Sequence, residues 1–260
     1  MSSQVERFPE WLSLLRAPNP GPMTLDGTNT WVLRAPGASE TVVIDPGPED
    51  AGHLASIAEH RPLAAILITH GHHDHVEGAE ALSRMLGGVP VLTADPKLGD
   101  PFPASLALAG LDLQVLATPG HTADSVCFTA TDGHTAGIFT GDTILGRGTT
   151  VVAWPDGDLG AYLTSLELLT AYPMLMLPGH GPARSDCAEL ALEYLAHRRE
   201  RLDQVRAALA GGAETPEAVV DVVYPDIDPA VRFAAEWSAR AQLEHLRRES
   251  QPGPEELDPL

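Results

Sequence analysis

Basic residues, cysteine and long apolar runs are what this sequence has little of. Its 260 residues hold 16 Lys+Arg against 36 Asp+Glu, a formal net charge of −20. So acidic a chain repels a phosphate backbone at long range, which argues against DNA binding and against docking on an anionic membrane. No apolar run approaches the roughly 18 residues of a membrane span. The N-terminus reads MSSQVERFPEWLSLL, with Glu6 and Glu10 where a secretory leader would be continuously apolar, so export is not expected. The two cysteines, Cys127 and Cys187, are too few for a disulfide framework, and the expected location is the reducing cytoplasm. Apolar residues make up 43%, enough for a real core, which excludes a disordered chain. The length fits one large domain, or one plus an appendix. Histidine is what the chain does have: 11 in all, six of them inside three short motifs.

Residues 40–185 alternate short apolar runs with turn signals. Strands are expected at 41–44, 64–69, 89–92, 113–116, 125–130, 136–140 and 174–177, with a helix at 79–86 closed by Gly87-Gly88. Asp132-Gly133 predicts a tight hairpin, because glycine accepts the positive φ such turns need. Asp158 is placed to cap a helix from Leu159 to Ala171. From Asp186 the texture changes. One long helix is expected to Ala210, closed by Gly211-Gly212; Thr215-Pro216 opens a short helix and Asp228-Pro229 a third that runs to about Arg248. The expected division is a catalytic body over 1–185, a helical domain over 186–250 and a Pro- and acid-rich disordered tail over 251–260.

The central motif is Thr69-His70-Gly71-His72-His73-Asp74-His75, at the end of a buried strand. His70 and His72 are two apart and share a side of an extended backbone. Asp74 and His75 follow where the chain turns towards a helix. Imidazole with a carboxylate suits a divalent ion such as zinc. His121, Asp142 and His180 each stand in a Gly-containing loop after an apolar run. Alone each reads as a turn or cap residue; together they place candidate ligands at one sheet edge, where α/β architectures build sites.

These motifs resemble the metallo-beta-lactamase fold superfamily, which carries HxHxDH and then a His, an Asp and a His in this order. Over residues 20–185 the resemblance implies a four-layer αβ/βα sandwich with two metal ions about 3.5–4 Å apart. It implies that His70, His72 and His121 hold one ion, that Asp74, His75 and His180 hold the other, and that Asp142 bridges them. Asp45 falls where the family has an acidic residue behind the ligands; a turn cap is the equal alternative. His73 matches no ligand position. Iron-containing oxidoreductases of the superfamily have Glu in place of His72, so the expected cofactor is a pair of divalent ions, zinc first. A narrower resemblance, to the beta-lactamase-like protein 2 subgroup, rests on Asn19-Pro20-Gly21-Pro22-Met23-Thr24, Gly27-Thr28-Asn29-Thr30, Leu145-Gly146-Arg147-Gly148-Thr149-Thr150 and Gly157-Asp158-Leu159. It implies a winged-helix-like C-terminal domain, here with His197-Arg198-Arg199-Glu200-Arg201 in its first helix. After Leu246-Arg247-Arg248 no strand pair is available to form a wing.

The expected chemistry is hydrolysis by a hydroxide bridged between the two ions, with Asp74 and Asp142 as catalytic residues that accept its hydrogen bonds. Both cysteines read as structural. The subgroup resemblance implies single-stranded RNA as substrate. The charge opposes it: residues 186–260 hold 8 Arg, no Lys and 16 Asp+Glu. Of the basic cluster Arg198, Arg199, Arg201 and Arg206, the last or Arg199 is expected to pair with Asp203. The alternatives are a glyoxalase II-like ester or thioester hydrolase, and a non-catalytic metal-bound scaffold whose appendix makes a homodimer.

Overall fold

The computed structural model of the chain describes residues 7–250. Glu6 and the tail expected to be disordered therefore lie outside the described residues. The first sheet begins with β1 (Leu12–Arg16), β2 (Asn29–Leu33) and β3 (Thr41–Ile44), paired antiparallel in that order. Helix α1 (Ala51–Ala58) carries the chain to β4 (Leu63–Leu67), parallel to β3. A single helical turn, α2 (His73–Val76), and α3 (Ala79–Met85) lead to β5 (Val91–Leu92), parallel to β4. In the second sheet β6 (Leu106–Leu108), β7 (Leu111–Ala117), β8 (Val126–Thr131) and β9 (Ala136–Gly141) form an antiparallel meander. Helix α4 (Leu159–Leu169) then returns the chain to β10 (Leu175–Pro178), parallel to β9.

The alternation of side chains explains the layers. Val42 and Ile44 of β3, with Trp31, Leu33 and Leu67, face Phe128, Phe139 and Leu177 of the other sheet and form the central core. The intervening Val43, with Ile66 and Ile68, faces outward onto Leu54 and Ile57 of α1 and Leu82 of α3. On the second sheet Cys127, Ile138 and Met176 face outward onto Tyr162, Leu166 and Leu169 of α4. Each sheet is thus covered on both faces, which is why β3 and β4 read as continuous apolar runs. Full burial of large side chains such as Phe128 and Phe139 contributes roughly 1.5–3 kcal/mol each. The result is the expected four-layer αβ/βα sandwich.

Helices α5 (Cys187–Ala210), α6 (Pro216–Val223) and α7 (Arg232–Ser250) complete the described chain, with a short 3-10 turn at Pro229–Val231. Asp158 and Thr215 cap α4 and α6 as expected, accepting from the backbone N–H of Ala161 and Ala218, and Asp186 caps α5 by accepting from Glu189. Asp228, expected to open the third helix, instead caps the 3-10 turn by accepting from Ala230, and α7 starts at Arg232. Helix α5 is buried along two stretches. Leu190, Tyr194, Leu195 and Leu202 join the α4 core, whereas Val205 and Ala208 pack with Val219, Val220, Ala235 and Ala239 of α6 and α7. Among the described residues no strand follows β10, so this region carries no β wing.

Candidate metal centre

Four strand ends, those of β4, β7, β9 and β10, converge on one edge of the sandwich. Strand β4 stops at Leu67, two residues short of the expected end, because the Thr69 N–H leaves the ladder and donates to Asp45 Oδ1 at 2.8 Å. His70 follows and is buried. His72 stands before α2, and its carbonyl accepts from the N–H of His75 and Val76. That single turn swings Asp74 and His75 away from His72 towards a neighbouring point. His121 follows β7 through Gly120, where φ is 137° and a Cβ would lie 2.3 Å from the Tyr162 Cα. Asp142 follows β9 directly and His180 follows β10.

All seven expected side chains come together. His72 Nδ1 lies 3.1 Å from both His70 Nε2 and His121 Nε2. His180 Nε2 lies 3.2 Å from His75 Nε2 and 3.0 Å from Asp74 Oδ2. Asp142 stands between the two groups, 3.4 Å from His180 Nε2, 3.5 Å from His75 Nε2 and 3.9 Å from His121 Nε2. Their donor atoms fall into sets suited to hold an ion: His70, His72 and His121; His70, His75 and Asp142; Asp74, His75 and His180.

The outer ring nitrogens are anchored, and this aims the inner ones. His121 Nδ1 donates to the Val151 carbonyl at 2.7 Å, so its Nε2 presents a lone pair. His180 Nδ1 faces the Gly27 carbonyl at 3.3 Å, and His75 Nδ1 lies 2.8 Å from Asp45 Oδ2. Asp45 is almost wholly buried and also accepts from the Thr69 hydroxyl at 2.7 Å. Its φ is 51°, a left-handed conformation held by these three bonds. Asp45 is therefore the support of His75, settling the choice left open by its Pro-Gly setting. His73 points to solvent.

The donor set fits metal ions. One proton on His72 Nδ1 can serve only one of its two close imidazole contacts, whereas a cation at the shared point serves all three nitrogens. Asp142 Oδ1 is buried with no hydrogen-bond partner. A Cβ at Gly179 would meet that oxygen at 2.5 Å, so the loop keeps a space there that only glycine leaves free. Five imidazoles and two carboxylates suit divalent ions of the zinc type.

The charges agree. Burial holds His121 down to about 4 and His70 well below its ordinary value, so both rings are neutral donors. Burial also works against a charge on His75 and His180, but the facing carboxylates, Asp142 foremost, outweigh it. His75 is raised well above its ordinary value and His180 to about 9. Burial would raise Asp74, yet His75 and His180 bring it down to about 2. Neither cysteine competes as a nucleophile: both are buried, and burial pushes the Cys127 thiol up to about 11 and the Cys187 thiol well above its ordinary value.

Sequence reasoning left out the groups that hold the loops. Asn29 Nδ2 donates to the carbonyls of Pro178 and Gly181, fixing the His180 loop. Asn19 Oδ1 accepts from the Thr28 N–H, and the Thr28 hydroxyl reaches Asp74 Oδ2 at 3.4 Å. The Thr150 hydroxyl donates to the Asp142 carbonyl at 2.8 Å. Asn19, Thr28, Asn29 and Thr150 all sit in motifs that carried the narrower resemblance; what they bond to is not readable from their spacing.

The chain is 32% identical over 265 residues to the beta-lactamase-like protein 2 homolog of Caenorhabditis elegans, covering 93% of this chain and 86% of that one. The metallo-beta-lactamase superfamily profile matches residues 23–95. The chain belongs to the metallo-beta-lactamase superfamily. Superfamily members are generally hydrolases, and a beta-lactamase associated winged helix domain profile matches residues 215–251. This superfamily chain is also 31% identical over 263 residues to an atrochrysone carboxyl ACP thioesterase of Aspergillus fumigatus, covering 90% of this chain and 80% of the relative. Among solved structures, a metallo-beta-lactamase family protein of Thermus thermophilus shares the fold, with a TM-score of 0.75, 23% identity and coverage of 92% and 94%. No described helix is long and apolar enough to cross a membrane.

Proposed function

We propose that this chain is a metal-dependent thioester hydrolase with two divalent ions, zinc first. His70, His72 and His121 would hold one ion, Asp74, His75 and His180 the other, and Asp142 both. When bound, such ions supply a water that ionises near neutral pH and polarise the scissile carbonyl. Asp74 and Asp142 would accept hydrogen bonds from the attacking water and orient it. Asp45, Gly27 and Val151 hold the histidine rings so that this orientation is fixed before substrate arrives. We also keep the division into a catalytic body over 1–185 and a winged-helix-like helical domain over 186–250, whose helix α5 packs against α4 of the body.

One observation favours a thioester over RNA. Four of the basic residues that a phosphate backbone would need are engaged with carboxylates within the protein. Arg199 pairs with Glu167, Arg206 with Asp203 and Glu249, Arg247 with Glu244, and Arg248 with Asp158 and Glu244. With a net charge of −20, these pairs leave no continuous basic track among the described residues. The name of the Aspergillus fumigatus relative supports the same reading. The cleft beside His121 and Asp142 is edged by Pro22, Met23, Leu25 and Leu145, a wall suited to an apolar acyl group. The deciding experiment assays metal-reconstituted protein against acyl thioesters, single-stranded RNA and bis-aryl phosphodiesters. Thioester turnover orders of magnitude above the others supports the reading; RNA cleavage exceeding it returns the substrate to the phosphodiester class.

A further inference from the structure

Arg198 is a buried cation without a counterion. Its side chain is 5% exposed, and no described carboxylate lies within ion-pair distance. It donates to the Thr150 carbonyl and lies over the Tyr162 ring at 5.1 Å, while its Nε has no partner. One turn on, Arg201 stacks on Tyr224 at 4.4 Å and donates to Gln204 Oε1 and the Val223 carbonyl, again with no carboxylate. His197 Nδ1 is buried and unpartnered. Leaving cations uncompensated in a chain this acidic costs stability, since carboxylates are plentiful and burial is expensive.

These three side chains line one cavity of about 280 Å³ between α5 and the start of α7. No carboxylate lines it, and its opposite wall is apolar, with Tyr224, Ile227 and Val231. Met23, Thr150 and Val151 line both this cavity and the cleft that holds His121 and Asp142. Two short stretches of chain, Pro22-Met23 and Thr149-Thr150-Val151, therefore separate the cavity from the metal centre.

We propose that this cavity binds an anionic group, a carboxylate or a phosphate, on the arm of a substrate whose reacting bond lies at the metal centre. Guanidinium groups match the planar oxygens of either anion and form charge-assisted hydrogen bonds with them. The apolar wall takes the methylenes of the arm. A single anion in a pocket differs from the extended track a nucleic acid needs. The proposal deepens the thioester reading, and binding is measured apart from turnover so that the two fail separately.

The test is calorimetry on the metal-loaded full chain with hexyl phosphate, hexanoate and hexanol. At least one anion should bind and hexanol should not. The better anion tells a phosphorylated carrier arm from a free carboxylate on the acyl part. Arg201→Gln and His197→Gln should each weaken binding about tenfold, the loss of one hydrogen bond to a charged group, with metal content unchanged. Arg198 is left unaltered because it also holds Thr150. Affinity unchanged in both variants would put the anion on the metal ions instead and overturn the proposal. So would hexanol binding as tightly as the anions, or no binding by either anion. If thioesters are not hydrolysed, the reaction reading falls and the binding result still decides the cavity.

Discussion

Asp45 grips His75 from behind: its Oδ2 lies 2.8 Å from His75 Nδ1, while its Oδ1 takes the Thr69 N–H that would otherwise extend β4. One side chain thus ends a strand and aims a ring. Asp45→Asn should lower metal affinity 10–100-fold, the usual cost of losing a partner behind a ligand. Competition against a chelator measures it. Unchanged affinity would mean that the ring is held by other contacts.

Neighbouring residues of the central motif should differ sharply. Asp74→Ala removes a carboxylate that sits 3.0 Å from His180 Nε2 and should abolish turnover. His73→Ala removes a solvent-facing ring and should change kcat/KM less than about threefold, well under 1 kcal/mol. Equal losses in both would show that the ligand assignment within His70–His75 is wrong.

Much of the site was legible because ligand chemistry demands residue types, and types are visible in sequence. The strand-end positions of the seven candidate residues were visible in the pattern, and their grouping as one ligand set came from the family resemblance. Of the strands that were foreseen, β3, β4, β8, β9 and β10 are largely buried on both faces and read as near-continuous apolar runs, whereas β7 alternates buried and exposed residues. Strand β1 was not foreseen, because its Leu-Ser-Leu-Leu-Arg pattern is only partly buried, and β2 hides inside a polar motif. Helix α1 has eight residues with Gly52 in its first turn, too short and weak for periodicity to show. The supports escaped for another reason. Val151 O and Gly27 O are backbone atoms, and any residue type could supply them. The expected pairing of Asp203 was right for Arg206, whereas Arg199 pairs across to Glu167 on α4.

Gly179 should not tolerate a side chain. A Cβ there meets Asp142 Oδ1 at 2.5 Å and His75 Cε1 at 2.6 Å. Gly179→Ala should push these groups apart, lower metal occupancy and cost about 1–3 kcal/mol of stability, as overpacking does. Metal analysis and denaturant unfolding measure the two effects; a variant normal in both would contradict the geometry.

Metal removal should couple to pH. In the metal-free chain His180 keeps its proton up to about 9, above the ordinary 6.5. Its stabilising contribution is then complete below about pH 6.5 and is lost as pH rises through 9. Metal uptake must displace that proton, so affinity rises with pH over the same window. Thermal unfolding should show metal-free protein weakening from pH 6.5 to 9. Calorimetry in buffers of different ionisation enthalpy should show proton release on zinc binding. Zinc affinity independent of pH would contradict the assignment.

The most direct test of the central claim is a metal titration of demetallated protein, following acyl-thioester hydrolysis and bound metal together. The account predicts activity that appears as the chain takes up two ions, disappears with chelator and returns with zinc. Full activity without metal, or two bound ions with no hydrolysis of any thioester, would contradict it.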